Sequence, residues 1–256
     1  MASGDAILGW LRVWGRAARF AGFALAGACA PATYDRATRE VALRQIYFTA
    51  SQVLPGFTLF AGLFSLVVIE ITVSAAREFG LAQHALELVF RALMVELIPL
   101  LTALFVALRS GAAIASEIAL MRVSGELEAM AARGEDPLAR ELVPRVAAAA
   151  LSVVALTVVS CMVAFVLAYL AMYGLSPWGF PDYARAIALV FGPAVMIGFA
   201  LKCVLFGTAV AVIPIAAGLD ATRQVKSVPV AVLGGMVRLF FTLGLIEVLS
   251  LAVKYV

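Results

Sequence analysis

The chain has 256 residues, 64% of them hydrophobic and 14% charged, with a formal net charge of +3. Soluble domains carry about 45–50% apolar and about 25% charged residues, so this composition, with a mean hydropathy of +1.05, excludes an ordinary soluble domain. It also leaves no basic footprint for nucleic acid, and the single histidine, His84, excludes a histidine-based metal cluster or catalytic triad within the chain.

The first segment reads as a helix lying in the membrane interface. Ile7, Trp10, Leu11 and Trp14 recur at helical spacing, while Arg12, Arg16 and Arg19 share another face. Tryptophan on one side and arginine on the other suit a helix seated among lipid headgroups, with Trp10, Trp14, Arg12 and Arg16 as its anchors. The rival reading is a signal peptide, because Phe20 to Ala28 is a short apolar run ahead of Cys29. The arginines within the apolar stretch argue against it. Cys29, Cys161 and Cys203 have neither metal-ligand nor disulfide spacing.

Beyond this segment (1–51) comes a unit of five apolar spans (52–256). They are predicted at Val53–Ala75, Leu86–Leu108 (continuing to Met121), Val146–Tyr173, Tyr183–Ala217 and Val228–Tyr255. Runs of this length indicate transmembrane helices, and the short alternating segments of a membrane barrel are missing. The expected fold is all-α and polytopic: an interfacial helix, five transmembrane helices and a cytoplasmic helix between the second and third.

Orientation follows from the basic residues. Thirteen arginines and lysines fall before the first span, between the second and third, and between the fourth and fifth. Only Arg77, Arg185 and Lys254 fall on the opposite side. The positive-inside rule therefore places the N-terminus and the connection between the second and third spans in the cytoplasm, and the C-terminus on the opposite side of the membrane.

Six charges lie within or near the spans: Glu70, Arg91, Glu96, Lys202, Arg238 and Glu247. A charge at the bilayer centre costs at least ~2.5–3.5 kcal/mol, so each is expected to face protein, water or a headgroup. Arg91 and Glu96 are five residues apart, which is not a same-face pair, so their partners are expected on other helices or another subunit. Lys202 and Arg238 read as snorkelling residues or structural ion pairs. Glu96, in "MVELIPLL", reads as a polar feature of a substrate path.

A polar island, "VSGELEAMAARGEDPLAREL", interrupts the apolar chain from Val123 to Leu142. It predicts a short helix at about 123–134, with Ser124 as N-cap and Gly134 as the stop before Asp136–Pro137. Leu127 and Met130 would form an apolar edge, with Glu126 and Glu128 solvated or paired.

The stretch from Glu96 to Arg145 resembles the MlaE/YrbE family of permeases, the membrane subunits of ABC transporters that partner MCE proteins. Glu96–Leu97, Pro99, Arg109, Gly111, Glu117, Met121, Gly134, Asp136–Pro137 and Pro144–Arg145 fall in register with that family's pattern without a gap. The resemblance implies a lipid-transport permease subunit with an apolar path. Along it Glu96, Glu70, Arg91 and Arg109 are the candidate polar residues, and Arg109 or Arg91 could meet a phosphate headgroup. It implies that the island is a coupling helix, with Ser124, Glu126, Leu127, Glu128, Met130 and Arg133 meeting a cytoplasmic ATPase dimer. It further implies a periplasmic MCE-type partner and a second permease copy. The chain itself would bind no cofactor, ATP and magnesium belonging to the ATPase, and no G-x-x-x-x-G-K-[ST] phosphate loop occurs in it.

The departures from the pattern bear on the second copy. Val95 stands where the family has arginine, Ile98 and Leu108 where it has glycine, and Gly125 where it has an acid. The family's glycine-rich stretch near the last span is also absent. A homodimer and a heterodimer with a paralogue both stay open. Two other readings remain beside the lipid permease: an ion-coupled secondary transporter using Glu96 or Glu70, and a membrane scaffold that transports nothing.

Overall fold

The computed structural model describes residues 52–255 except Arg223, together with the isolated positions Gly15, Gly22, Leu43 and Tyr47. The expected interfacial helix, with Trp10, Arg12, Trp14 and Arg16, lies outside the described residues. All regular structure among the described residues is helical. In chain order the helices are α1 (Leu54–Glu78), α2 (Ala82–Ser124), α3 (Glu126–Ala132), α4 (Leu138–Tyr173), α5 (Phe180–Val190), α6 (Pro193–Leu219) and α7 (Val228–Tyr255).

Among the described residues, five helices are long and apolar enough to cross a membrane: α1, α2, α4, α6 and the Val225–Lys254 stretch that includes nearly all of α7. Even α1, at 25 residues, reaches roughly 38 Å at 1.5 Å per residue, more than the ~30 Å hydrocarbon core. The chain is therefore an all-α, multi-pass membrane protein. Pro55 and Pro193 enter the first turns of α1 and α6, where a missing N–H costs nothing because those donors have no intrahelical partner.

One predicted span is corrected. The stretch Tyr183–Ala217 is not continuous: α5 ends at Val190 and α6 begins at Pro193. Gly192 is extended, with ψ 163°, and Pro193 cannot donate to a preceding turn, so the helix must restart. The membrane-crossing part is α6 alone.

The bundle packs around α6, which touches α7, α4 and α2. Its glycines allow close approach: a Cβ on Gly207 would lie 2.8 Å from the Ala150 carbonyl oxygen, and one on Gly218 would lie 2.7 Å from that of Ala115. Small residues at such crossings let membrane helices gain backbone-level van der Waals contact. At one end of the bundle, Phe90, Phe165, Tyr183 and Phe191 form an aromatic core in which Phe90 meets Tyr183 edge-on at 5.4 Å. The Tyr183 hydroxyl donates to the Phe165 carbonyl at 2.6 Å, which satisfies its polar tip. At the other end, Ile114, Ile118, Leu127, Leu142, Val146 and Ile215 pack together beneath α3.

Candidate functional site

Helix α2 is not regular. Its hydrogen bonding widens to π-type turns at Phe90–Leu97 and Ala107–Gly111, and such turns redirect side chains and recur at functional positions. Glu96 lies in the first and Arg109 in the second.

Glu96 is the centre of a buried charge ladder. One carboxylate oxygen pairs with Lys202 of α6, and the other accepts from Lys254 of α7 at 2.7 Å. Lys202 continues to Glu247 of α7 at 2.7 Å and lies 3.4 Å from the Val95 carbonyl oxygen. The ladder thus runs Lys254–Glu96–Lys202–Glu247, with two cations and two anions contributed by three helices. Lys202 is only 2% exposed. Such a charge is tolerable in an apolar bundle only when closely paired, and the alternation of sign supplies a counter-ion to every member.

The ladder borders a cavity of about 510 Å³ between α2, α6 and α7. Val195, Phe199, Leu205, Ile246, Leu249 and Val253 supply apolar wall, and Glu96, Lys202 and Lys254 supply charge at one side. The size is typical of small-ligand sites, which run ~300–1,000 Å³. Apolar walls beside a small charged patch match an amphipathic molecule, with its tail against the walls and its polar head near the ladder.

The other predicted path residues do not join this cluster. Glu70 is exposed on the outer face of α1, and Arg91 is half-buried on α2. Among the described residues neither forms an ion pair. Arg109 donates to the Gln52 side chain at 3.3 Å, tying α2 to the chain entering α1. Lys202 closes a structural ion pair, one of the two alternatives expected of it, and Arg238 pairs with Asp220 at 3.7 Å. In the sequence Lys254 only marks the far side of the membrane. Its signal is positional: Glu96 and Lys202 fall in the N-terminal halves of α2 and α6, and Glu247 and Lys254 in the C-terminal half of α7, which the ion pairs bring to one end of the bundle.

The island forms its helix, α3, with two corrections. Ser124 is not an N-cap: α2 runs through it, and its hydroxyl donates back to the Met121 carbonyl at 3.2 Å. The junction is Gly125, whose left-handed backbone, φ 77°, ends α2 and starts α3. A side chain is disfavoured in that conformation, so glycine sets the corner. Second, Leu127 and Met130 are buried, and Leu127 packs into the core beneath α3. The apolar edge therefore fixes α3 to its own protein, and Glu126, Ala129 and Arg133 face outward. Glu128 is half-buried on the flank. Gly134, at φ 79°, ends the turn as expected, and Asp136 accepts from the Leu138 N–H at 2.9 Å to start α4.

An arginine that carried no assigned role joins the two helices flanking the island. Arg145 of α4 is buried, donates to Glu117 of α2 at 2.9 Å and forms an ion pair with Glu141 at 3.0 Å. The planar guanidinium can hold two carboxylates at once, so α2 and α4 are locked together just above α3.

Comparison with known proteins bears on this arrangement. The family model described as "Permease MlaE" matches residues 42–253. The chain is 31% identical over 163 residues to a "Probable ABC transporter permease protein" of Synechocystis, an alignment covering 61% of each chain. It is 29% identical over 133 residues to a "Probable ABC transporter permease protein" of Rickettsia prowazekii, covering 52% of this chain and 51% of that one. The chain thus spans between half and two thirds of the length of the curated relatives it matches.

Proposed function

The chain belongs to the MlaE permease family, and from that premise we propose that it is the membrane subunit of an ATP-driven transporter that moves phospholipid or a similar lipid. The observation that carries this reading is the apolar cavity bordered by the Lys254–Glu96–Lys202–Glu247 ladder. Acyl chains would lie along the walls of α6 and α7, and a zwitterionic or anionic headgroup would exchange contacts with the ladder. Glu70, Arg91 and Arg109 are assigned to the margins of the path.

Motion would enter through α3. Glu126, Ala129 and Arg133 present the outward face to an ATPase dimer, while Leu127 and Met130 transmit the push into the core and Ser124 and Glu128 complete the flanks. The Arg145 clamp would make α2 and α4 move together, and α2 carries Glu96 to the other end of the bundle. In this reading ATP and magnesium stay on the ATPase, an MCE-type protein meets the periplasmic end, and a second permease copy completes the cavity in the inner membrane. The orientation rests on the positive-inside count.

The ladder also fits a second reading, an ion-coupled transporter in which Glu96 exchanges a proton. Affinity purification from mild-detergent membranes, with every co-purifying subunit identified by mass, tests both. A phosphate-loop ATPase and an MCE-type protein in fixed ratio are expected. A chain recovered alone, even after crosslinking from Ala129→Cys, would sink the ATP-driven reading and favour the ion-coupled one. A second permease in the complex would identify the partner copy as a paralogue.

A further inference from the structure

The connection from α4 to α6 carries more apolar surface than the protein covers. Leu175 is 93% exposed, Trp178 87% and Phe180 64%. On α5, Tyr183, Ala186 and Val190 turn inward, but Phe180, Ala184 and Ala188 continue the apolar surface around the uncovered side. The polar residues of this helix are confined to a narrow strip, where Asp182 and Arg185 pair at 3.0 Å. An apolar arc wider than the buried face, with a thin polar strip, is the pattern of a helix lying in a lipid interface. The neighbouring α1–α2 turn at the same end has Phe79 at 80% exposure.

The height of this segment in the bundle is fixed by α4. From Arg145, held in its ion pairs at the opposite end, to Tyr173 the helix rises roughly 42 Å at 1.5 Å per residue. A bilayer measures ~40–45 Å across including both headgroup layers. The exposed side chains therefore emerge at the headgroup level of the far leaflet, where tryptophan is enriched.

We propose that Leu175, Trp178 and Phe180, with Phe79, insert into the lipid surface and make the α4–α6 connection an interfacial anchor. The covering partner is the bilayer itself. The anchor ends at Gly192, where α6 begins, and the first turns of α6, with Ala194, Val195 and Gly198, line the cavity. It therefore fixes one cavity wall relative to the lipid, whatever the cargo.

The sequence contains three tryptophans, Trp10, Trp14 and Trp178, so Trp10→Phe with Trp14→Phe leaves Trp178 as the only reporter. The full chain is placed in phosphatidylcholine vesicles whose acyl chains are brominated close to the headgroup, and in unbrominated controls. The expected result is blue-shifted Trp178 emission, loss of most of its intensity in brominated vesicles, and little quenching by aqueous iodide. Phe79→Trp, with all three native tryptophans changed to phenylalanine, should behave the same way. Should the double variant fail to fold, the difference between the native chain and Trp178→Phe gives the same readout. Red-shifted emission quenched by iodide and untouched by bromine would overturn the proposal. Protection that arises only in complex with a co-purified protein would also overturn it and assign the surface to protein docking.

Discussion

Replacing Lys202 with methionine removes the central cation of the ladder while keeping the length of the side chain. Lys202 pairs with both Glu96 and Glu247, so the variant leaves two carboxylates and only Lys254 among the four positions. Lys254 is held by Glu96, and Glu247 loses the cation that faces it. Breaking a buried pair by removing one partner costs about 3–5 kcal/mol, because the remaining charge stays in a poor solvent. For a protein of this size that lowers the melting temperature by on the order of 10 °C. The double variant Lys202→Met/Glu247→Gln restores neutrality, since Glu96 and Lys254 remain as a pair, and should recover most of the loss. Thermal unfolding of the purified chain in one detergent, read by size-exclusion fluorescence, gives both values. A Lys202→Met variant that melts with the native chain, or a Glu247→Gln change that adds to the damage instead of offsetting it, would mean that the ladder does not hold these helices together.

Other variants separate packing from coupling. Gly218→Ala places a methyl 2.7 Å from the Ala115 carbonyl oxygen and should destabilise by about 1–3 kcal/mol through overpacking. Gly244→Ala meets nothing within 4 Å and should be neutral or stabilising by up to about 1 kcal/mol through helix propensity; melting curves compare the two. In reconstituted complexes, Arg145→Met should lower lipid moved per ATP hydrolysed while ATP hydrolysis continues. Arg145→Lys should rescue only part, because an ammonium lacks the fork that spans Glu117 and Glu141. Cysteine crosslinking to the ATPase should succeed from Ala129→Cys, which faces outward, and fail from Met130→Cys, which is buried.

Hydropathy made most of the fold legible, because a helix that crosses a bilayer must be apolar along its length. Val228–Tyr255 forms α7 as predicted, and Gly134 stops the turn after α3. The break between α5 and α6 was hidden because Phe191 and Gly192 continue an apolar run, although Gly192–Pro193 is itself a breaker signal. At Ser124 two local signals competed. A serine resembles an N-cap, but the following Gly125 can take the left-handed corner, and the packing of α2 extended the helix up to it.

The candidate site was less legible for a physical reason. Patterns along one helix report neighbours three or four residues away, whereas Glu96 finds Lys202 and Lys254 more than a hundred positions later. The outward and inward sides of α3 were likewise undetermined, because an apolar edge at Leu127 and Met130 looks the same whether it docks a partner or its own core. Arg145 belongs to the family-like pattern, but its role depends on Glu117, twenty-eight residues earlier on another helix, which no local spacing reports.

Lipid transfer by the co-purified complex in proteoliposomes, with ATP, without ATP, and with a proton gradient in place of ATP, distinguishes an ATP-driven lipid permease from an ion-coupled transporter. The predicted result is transfer of labelled phospholipid that requires ATP hydrolysis and falls at least several-fold when Lys202→Met/Glu247→Gln alters the ladder without unfolding the chain. Transfer that ignores ATP and follows the proton gradient would contradict it, as would ATP-driven transfer unchanged by the double variant.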